Sequence, residues 1–442
     1  MTNRLEDRAL DRRLTRLLQH TRSVVQRGRV VQAVGTTLRV TGLAARIGQQ
    51  CRVLDPDSGA DLRAEVVGVA DGHLLLVPFA PLQGITLESE VELLGSDAQM
   101  SCGAALLGRV IDAFGRPLDG TALPAGLPAQ PLYGEAPNPL QRRPIGQSLS
   151  TGVRAIDALL TVGEGQRVGV FAMAGGGKST LLGMLARHAR ADVNVVALIG
   201  ERGREVREFL DDNLGAEGLA RSVVVVSTSE RPAMERVRAA HAATAIAEGL
   251  RARGQRVLLL MDSVTRYARA LREIGLAVGE PPVRRGYPPS VFAELPRLFE
   301  RAGNDAQGSI TAFYTVLVED EDGSDPVAEE VRSILDGHVV LSRQLGQAGH
   351  YPAIDVLASA SRVFPRVTAP SHQDAARHVR ALLARHAEIE FLLRVGEYER
   401  GSDSLADEAM VKLPRLQAFL RQRPDEADAF DATVATLQEL AA

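Results

Sequence analysis

A lysine and two hydroxyl residues, Lys178, Ser179 and Thr180, stand directly after the small-residue stretch Ala174, Gly175, Gly176 and Gly177. That order suits phosphate chemistry. A loop with almost no side-chain bulk can curl until successive backbone N–H groups converge on phosphate oxygens, with the positive end of a following helix behind them. The Lys178 ammonium would reach the β- and γ-phosphates. Ser179 offers a hydroxyl where a Mg²⁺ bridging those phosphates needs a ligand, and Thr180 is the less suited of the pair. Before the loop, Val168, Val170 and Phe171 fit a buried strand; after it, Leu181, Leu182 and Leu185 recur at helical spacing. The first glycine of the usual phosphate-loop pattern is replaced by Ala172, a departure of one methyl group.

Two further apolar runs each deliver a carboxylate. VLLLMDS brings Asp262 to the end of a strand, where an α/β nucleotide site needs an anchor for Mg²⁺ and its waters. VNVVALIG leads into Glu201, Arg202, Gly203 and Arg204. Glu201 there suits a general base or water-orienting group for attack on a γ-phosphate, and Arg202 could neutralise phosphate charge or hold Glu201. A solvated turn would account for GERGRE on spacing alone.

These groups must be positioned by a chain of 442 residues, long enough for two to four domains, with 45% hydrophobic residues to bury. Its 51 basic and 55 acidic residues leave a formal charge of −4, which gives no overall field favouring nucleic acid or membrane. Cys51 and Cys102 lack metal-ligand spacing and are expected to be reduced and structural. No run reaches the roughly 18 apolar residues of a membrane span, and the start is charged from Arg4 onward, so neither a span nor a leader is expected. A cytoplasmic location follows.

In chain order, residues 1–22 place Leu10, Leu14, Leu17 and Leu18 on one face of an amphipathic helix, which either packs on its own domain or docks to a partner or an anionic surface. Residues 23–97 carry short β-rich runs with DPDSG and DG turns, expected to close into a small β-barrel. Phe79 is its single aromatic residue, so a base-stacking platform for nucleic acid is lacking. A Pro-rich connection leads to alternating strands and helices, with strands expected at VGVFA, VNVVALIG, SVVVVS, RVLLLMDS and SITAFYTVLVE. That alternation describes a multidomain α/β chain whose core, residues 98–367, has a mostly parallel sheet. Residues 368–442 read as a C-terminal helical domain.

AMAGGGKST, ALIGERGREVREFL, LLLMDSVTRYARALREIG, RRGYPPSVFAELPRLFERAG, GSITAFYTVLVEDEDGSDPVAEEVRSILDGHVVLSR and GHYPAIDVLASASRV together resemble the ATPases of type III protein export, in injectisomes and flagella, which are relatives of the rotary ATP synthase catalytic subunit. The resemblance runs from about Val24 to Gly401. It implies a RecA-like P-loop ATPase core and a homohexameric ring with nucleotide sites between subunits, using ATP and Mg²⁺. By it, Gly175, Gly176, Gly177, Lys178, Thr180 and Ala174 hold phosphate, Ser179 and Asp262 serve the metal, and Glu201 is the catalytic carboxylate. Arg202 and Arg266 match arginines beside the γ-phosphate, Tyr351 in GHYPAID matches an aromatic packed on adenine, and Arg362 in SASR matches an arginine reaching the neighbouring subunit's site. Without the resemblance, a core tyrosine with a hydrogen-bonded hydroxyl is the lesser alternative for Tyr351. Family cradles often read AGSGVGK; Met173 here replaces the early glycine.

Implied partners are a stator or regulator protein at the N-terminal helix, a central stalk protein, export-apparatus components, and chaperone–substrate complexes at the C-terminal domain. No nucleic acid is among them; peripheral association with the cytoplasmic face of the inner membrane is. The injectisome is favoured over the flagellum by the short N-terminal extension. Competing readings are a non-catalytic ring subunit, disfavoured by Glu201, a rotary synthase β-type subunit, disfavoured by the absence of a DELSEED segment, and a termination-factor-type RNA translocase, disfavoured by the barrel's lack of aromatics.

Overall fold

The computed structural model describes residues 26–95, 98–173, 175–318 and 325–442, so the expected helix at residues 1–22 and the loop residue Ala174 lie outside the described residues. The chain forms two compact units, divided between Ala98 and Gln99.

The first unit is the expected barrel. Its strands are β1 (Arg27–Val34), β2 (Thr37–Thr41), β3 (Gln50–Leu54), β4 (Asp61–Ala70), β5 (His73–Pro78) and β6 (Glu90–Leu93), closed in the order β1-β2-β5-β4-β3-β6. Alternation drives the closure: Leu38, Val40, Val53, Val66, Leu74, Leu76 and Val91 point inward to one core. The DG pair works as a two-residue hairpin loop between β4 and β5, since Asp71 (φ 53°) and Gly72 (φ 76°) both take the left-handed backbone such a turn requires.

In the second unit, β7 (Gln99–Ser101) pairs with β9 (Ala129–Pro131), and β10 (Ser148–Leu149) with β11 (Val162–Gly163). The main sheet combines β8 (Arg109–Asp112), β12 (Arg167–Ala172), β13 (Val193–Ile199), β14 (Ser222–Ser227), β15 (Arg256–Asp262), β17 (Ser309–Leu317), β18 (Gly337–Leu341) and β19 (Ile354–Ser361) in the order β19-β18-β12-β17-β15-β13-β14-β8, while β16 (Gly303–Asn304) flanks β17. All pairings are parallel except β18 with β19 and β16 with β17. All five expected strands are present. The sheet is wider than expected because β8, β18 and β19 join it; β8 lies in the stretch read as an extended connection.

β13 is buried along its whole length, and β17 along all but its last residue, as in parallel strands covered on both faces. Helices Lys178–His188, Ala233–Arg251 and Val264–Ala277 connect the strands. Three helices close the chain: Pro370–Val395, Ser404–Leu420 and Phe430–Ala441. Their Val379, Leu382, Leu416, Phe419, Leu437 and Leu440 belong to the same buried cluster as Leu181, Leu185, Val196 and Leu260. The C-terminal helices thus share the core of the sheet rather than building one of their own. Among the described residues no helix is long and apolar enough to cross a membrane.

Candidate nucleotide site

Parallel α/β sheets bind ligands beyond the carboxyl ends of their strands, and three of those ends converge here. β12 ends at Ala172, and the loop to Lys178 turns on two left-handed glycines, Gly175 (φ 78°) and Gly177 (φ 82°). Gly176 N–H closes the loop on Met173 O at 3.0 Å, so the residue that departs from the family cradle contributes only its carbonyl to that turn. A Cβ at Gly176 would come within 3.1 Å of the same oxygen. Ala172 keeps an ordinary strand backbone, which is why its methyl group is accommodated. Gly177 caps the helix Lys178–His188 without a side-chain hydrogen bond, leaving the first-turn N–H groups of Lys178, Ser179 and Thr180 turned to the loop.

The Lys178 ammonium bonds Asp262 Oδ1 at 2.5 Å and Glu201 Oε1 at 3.3 Å. Burial alone would lower its pKa, but the charges of Asp262 and then Glu201 carry it above the ordinary lysine value. Burial, reinforced by the Asp262 charge, pushes the Glu201 carboxyl up to about 7, a value matched to accepting a proton near neutral pH. Asp262 is only 3% exposed at its side chain. Thr315 Oγ1, from β17 between β12 and β15, donates to Asp262 Oδ1 at 2.8 Å and fixes that carboxylate.

Arg266 comes from the first turn of helix Val264–Ala277, whose start is capped by Ser263. Its aliphatic stem fills the space over Gly200: a Cβ there would meet Arg266 Cβ at 3.0 Å and Cγ at 3.2 Å. Gly200 (φ 68°) immediately precedes Glu201, so the arginine stem lies beside the carboxylate's backbone. Arg266 Nε is buried with no hydrogen-bond partner, an orphaned donor that a phosphate oxygen would satisfy. Tyr351 is 46% exposed, and a Cβ at Gly177 would lie 3.7 Å from its ring. The ring therefore flanks the phosphate loop, which a core tyrosine would not.

The donor set fits Mg²⁺ held mainly by substrate. Ser179 is exposed at the loop, Asp262 is the buried carboxylate behind it, and no cluster of three or more His, Cys, Asp or Glu ligands occurs among the described residues. Magnesium at nucleotide sites takes one or two protein oxygens, phosphates and waters rather than an all-protein cage.

Two expected residues are not brought into this cradle. Arg202 is the N-cap of the helix Gly203–Glu208, with extended backbone; its side chain is 73% exposed and reaches Glu205 at 3.7 Å. The capping geometry directs it to solvent, which corrects its expected place beside the γ-phosphate. Arg362 lies at the opposite end of the sheet. Val168 is in register with Gly337 and Gly337 with Ser361, whereas Ala172 is in register with Leu341 and Leu341 with Ile354. Four residues of strand, about 13 Å, therefore separate the level of Ser361 from the end of β12. Spacing missed Thr315 and Gly200. A hydroxyl inside the apolar run SITAFYTVL was the available signal for the first.

Comparison with known proteins places the chain in a family. The ATP synthase alpha/beta family, nucleotide-binding domain, matches residues 152–361, and the T3SS EscN ATPase C-terminal domain matches residues 368–439. A type 3 secretion system ATPase of Xanthomonas euvesicatoria is 55% identical over 410 residues, covering 93% of each chain. The chain belongs to the family of type 3 secretion and flagellar ATPases. A flagellum-specific ATP synthase of Bacillus subtilis is 49% identical over 424 residues, covering 96% of this chain and 97% of its own. The assembled ATPase EscN of enteropathogenic E. coli type III secretion superposes with a TM-score of 0.88 at 46% identity, over 94% of this chain and all of that one.

Proposed function

We propose that this chain hydrolyses ATP in a homohexameric ring at the cytoplasmic face of an injectisome-type export apparatus, and so drives chaperone release, unfolding and export of secreted proteins. The observation that carries the reading is the buried set Lys178, Glu201 and Asp262 at the ends of β12, β13 and β15 beneath an uncapped glycine loop. The EscN ATPase, solved as an assembly and with its central stalk EscO (TM-score 0.86), supports a ring and a stalk partner. The match of the C-terminal helices to the T3SS domain favours export over a rotary synthase or an RNA translocase. The secretion ATPase above is 55% identical against 49% for the flagellar one, which favours the injectisome.

In the mechanism we infer, the loop N–H groups and the helix start take the β- and γ-phosphates, and Lys178 turns from its carboxylates to them. Ser179 and, through water, Asp262 would hold Mg²⁺, which neutralises phosphate charge when bound. Glu201 orients a water in line with the γ-phosphorus and accepts its proton as the P–O bond to ADP breaks. Arg266 faces the γ-phosphate through its orphaned Nε–H. Tyr351 stacks on adenine. Arg362 serves the next subunit's cradle, because its own lies at the far end of β12. Steady-state ATPase assays of wild type, Lys178→Ala and Glu201→Gln test the reading: turnover that survives both substitutions overturns it, as does activity that RNA stimulates.

A further inference from the structure

We propose that Gln166 is the positioning residue for Arg362, fastening the backbone from which the arginine reaches a neighbouring cradle; this rests on the trans reading of Arg362 given above. Gln166 is fully buried and stands just before β12. Its Oε1 accepts from Gly163 N–H at 2.9 Å. Its Nε2 donates to Asp336 O at 3.1 Å and to Ser361 Oγ at 3.1 Å. That same Asp336 carbonyl accepts the N–H of Arg362 at 2.9 Å. Ser361, the residue before the arginine, donates a hydrogen bond from its hydroxyl to Thr161 O at 2.9 Å. One buried amide thus joins the turn ahead of β12, the carbonyl that holds Arg362, and the side chain of its predecessor.

The arginine's own contacts do not fix its direction. Arg362 is exposed, and among the described residues its side chain makes one long hydrogen bond, 3.5 Å, to Arg332 O. Its attitude is set by its backbone, and the backbone by Gln166. Space around the amide is closed: a Cβ at Gly337 would fall 3.0 Å from Nε2. A donor and an acceptor on one planar group are both used, which a hydrocarbon of equal size cannot reproduce. Displacement of a reacting group by about 1 Å is enough to cost on the order of 100-fold in rate.

The rival role is local. Gln166 also leads into the strand that ends at the phosphate loop, so it could support its own cradle instead. Mixed rings tell these apart. Gln166→Met alone is expected to lower kcat about tenfold or more while KM for ATP stays within about twofold. Mixed in equal amounts with Lys178→Ala, it should regain activity, since about a quarter of random interfaces then pair an intact cradle on the Gln166→Met subunit with a well-held Arg362 from the other. Mixed with Arg362→Ala, it should regain none. Ser361→Ala, which removes only the Oγ contact, should show the same pattern with a smaller fall, and it carries the test if Gln166→Met does not fold. The opposite pattern, rescue by Arg362→Ala and not by Lys178→Ala, overturns the positioning role and assigns Gln166 to its own cradle. Unchanged kcat in both variants also overturns it. The control mixture of Lys178→Ala with Arg362→Ala separates the two readings: if that pair forms mixed rings and stays inactive, the trans arginine fails and the positioning role fails with it.

Discussion

Both ends of strand β12 hold an ion-paired cation, but they differ in what stands beside it. At the carboxyl end the charges are buried and paired with one another: Lys178 lies between Asp262 and Glu201, and Thr315 braces the aspartate. At the amino end Arg167 is paired with Asp336 and Glu300, a neutral amide, Gln166, bonds Asp336 O and the Ser361 hydroxyl, and a second cation, Arg362, stands exposed. A buried cation already neutralised by its own chain can give up those contacts to a phosphate group. An exposed guanidinium without a carboxylate partner among the described residues keeps its charge open to an incoming anion. On the function proposed above, each end holds part of a reaction site, and the parts face different subunits.

Breaking the carboxyl end gives the largest effect. Lys178→Ala should abolish hydrolysis while circular dichroism shows the fold retained, since no other group replaces its charge on the β- and γ-phosphates. Breaking the other end comes next: Arg362→Ala should lower turnover by about 10³-fold and remove the rise of specific activity with protein concentration that a shared site requires. Glu201→Gln sharpens the contrast within the cradle, with turnover down about 100-fold and nucleotide affinity, measured by fluorescent-nucleotide titration, retained. Tyr351→Ala should raise KM about tenfold with kcat little changed, the loss of one base–aromatic stack.

The smallest effect concerns the frame both ends share. His241 is buried, and Arg301 Nη1 lies 3.1 Å from its Nδ1. Burial first, then the charges of Arg301 and Arg238, lower its pKa to about 3. The unfolded chain takes up this proton below the ordinary histidine value of 6.5 while the folded chain does not. Stability is therefore full above pH 6.5 and falls as the pH drops toward 3, by about 2 kcal/mol at pH 5. His241→Gln should flatten the dependence of the unfolding midpoint on pH between 5 and 7.

Much of this was legible in the residues themselves. Continuous apolar runs marked β12, β13, β14, β15 and β17, because strands covered on both faces have no polar side to interrupt them. β8 and β19 escaped notice for the converse reason. The first is four residues long, and the second mixes small and polar residues in DVLASAS. Within the site, Lys178, Glu201 and Asp262 follow from strand ends, since chain direction alone brings them together. Arg202 shows the limit: its place in sequence is beside Glu201, yet the rotation at a helix cap turns its side chain outward. Gln166 carried no signal at all, because an uncharged amide before a strand resembles any other.

Tyr351, beside the phosphate loop, also has its carbonyl bonded by Gln422 N–H at 2.8 Å. Gln422 follows the helix Ser404–Leu420 and sends its side chain back to Gly152 O at 2.7 Å, while its Oε1 takes the N–H of Arg154 at 2.8 Å. The aromatic loop, the link between the last two helices and the turn at residues 152–154 are thus tied at one residue. A substitution at Gln422, far from the phosphate loop in sequence, would therefore be felt at the Tyr351 ring and at the seat of the C-terminal helices together.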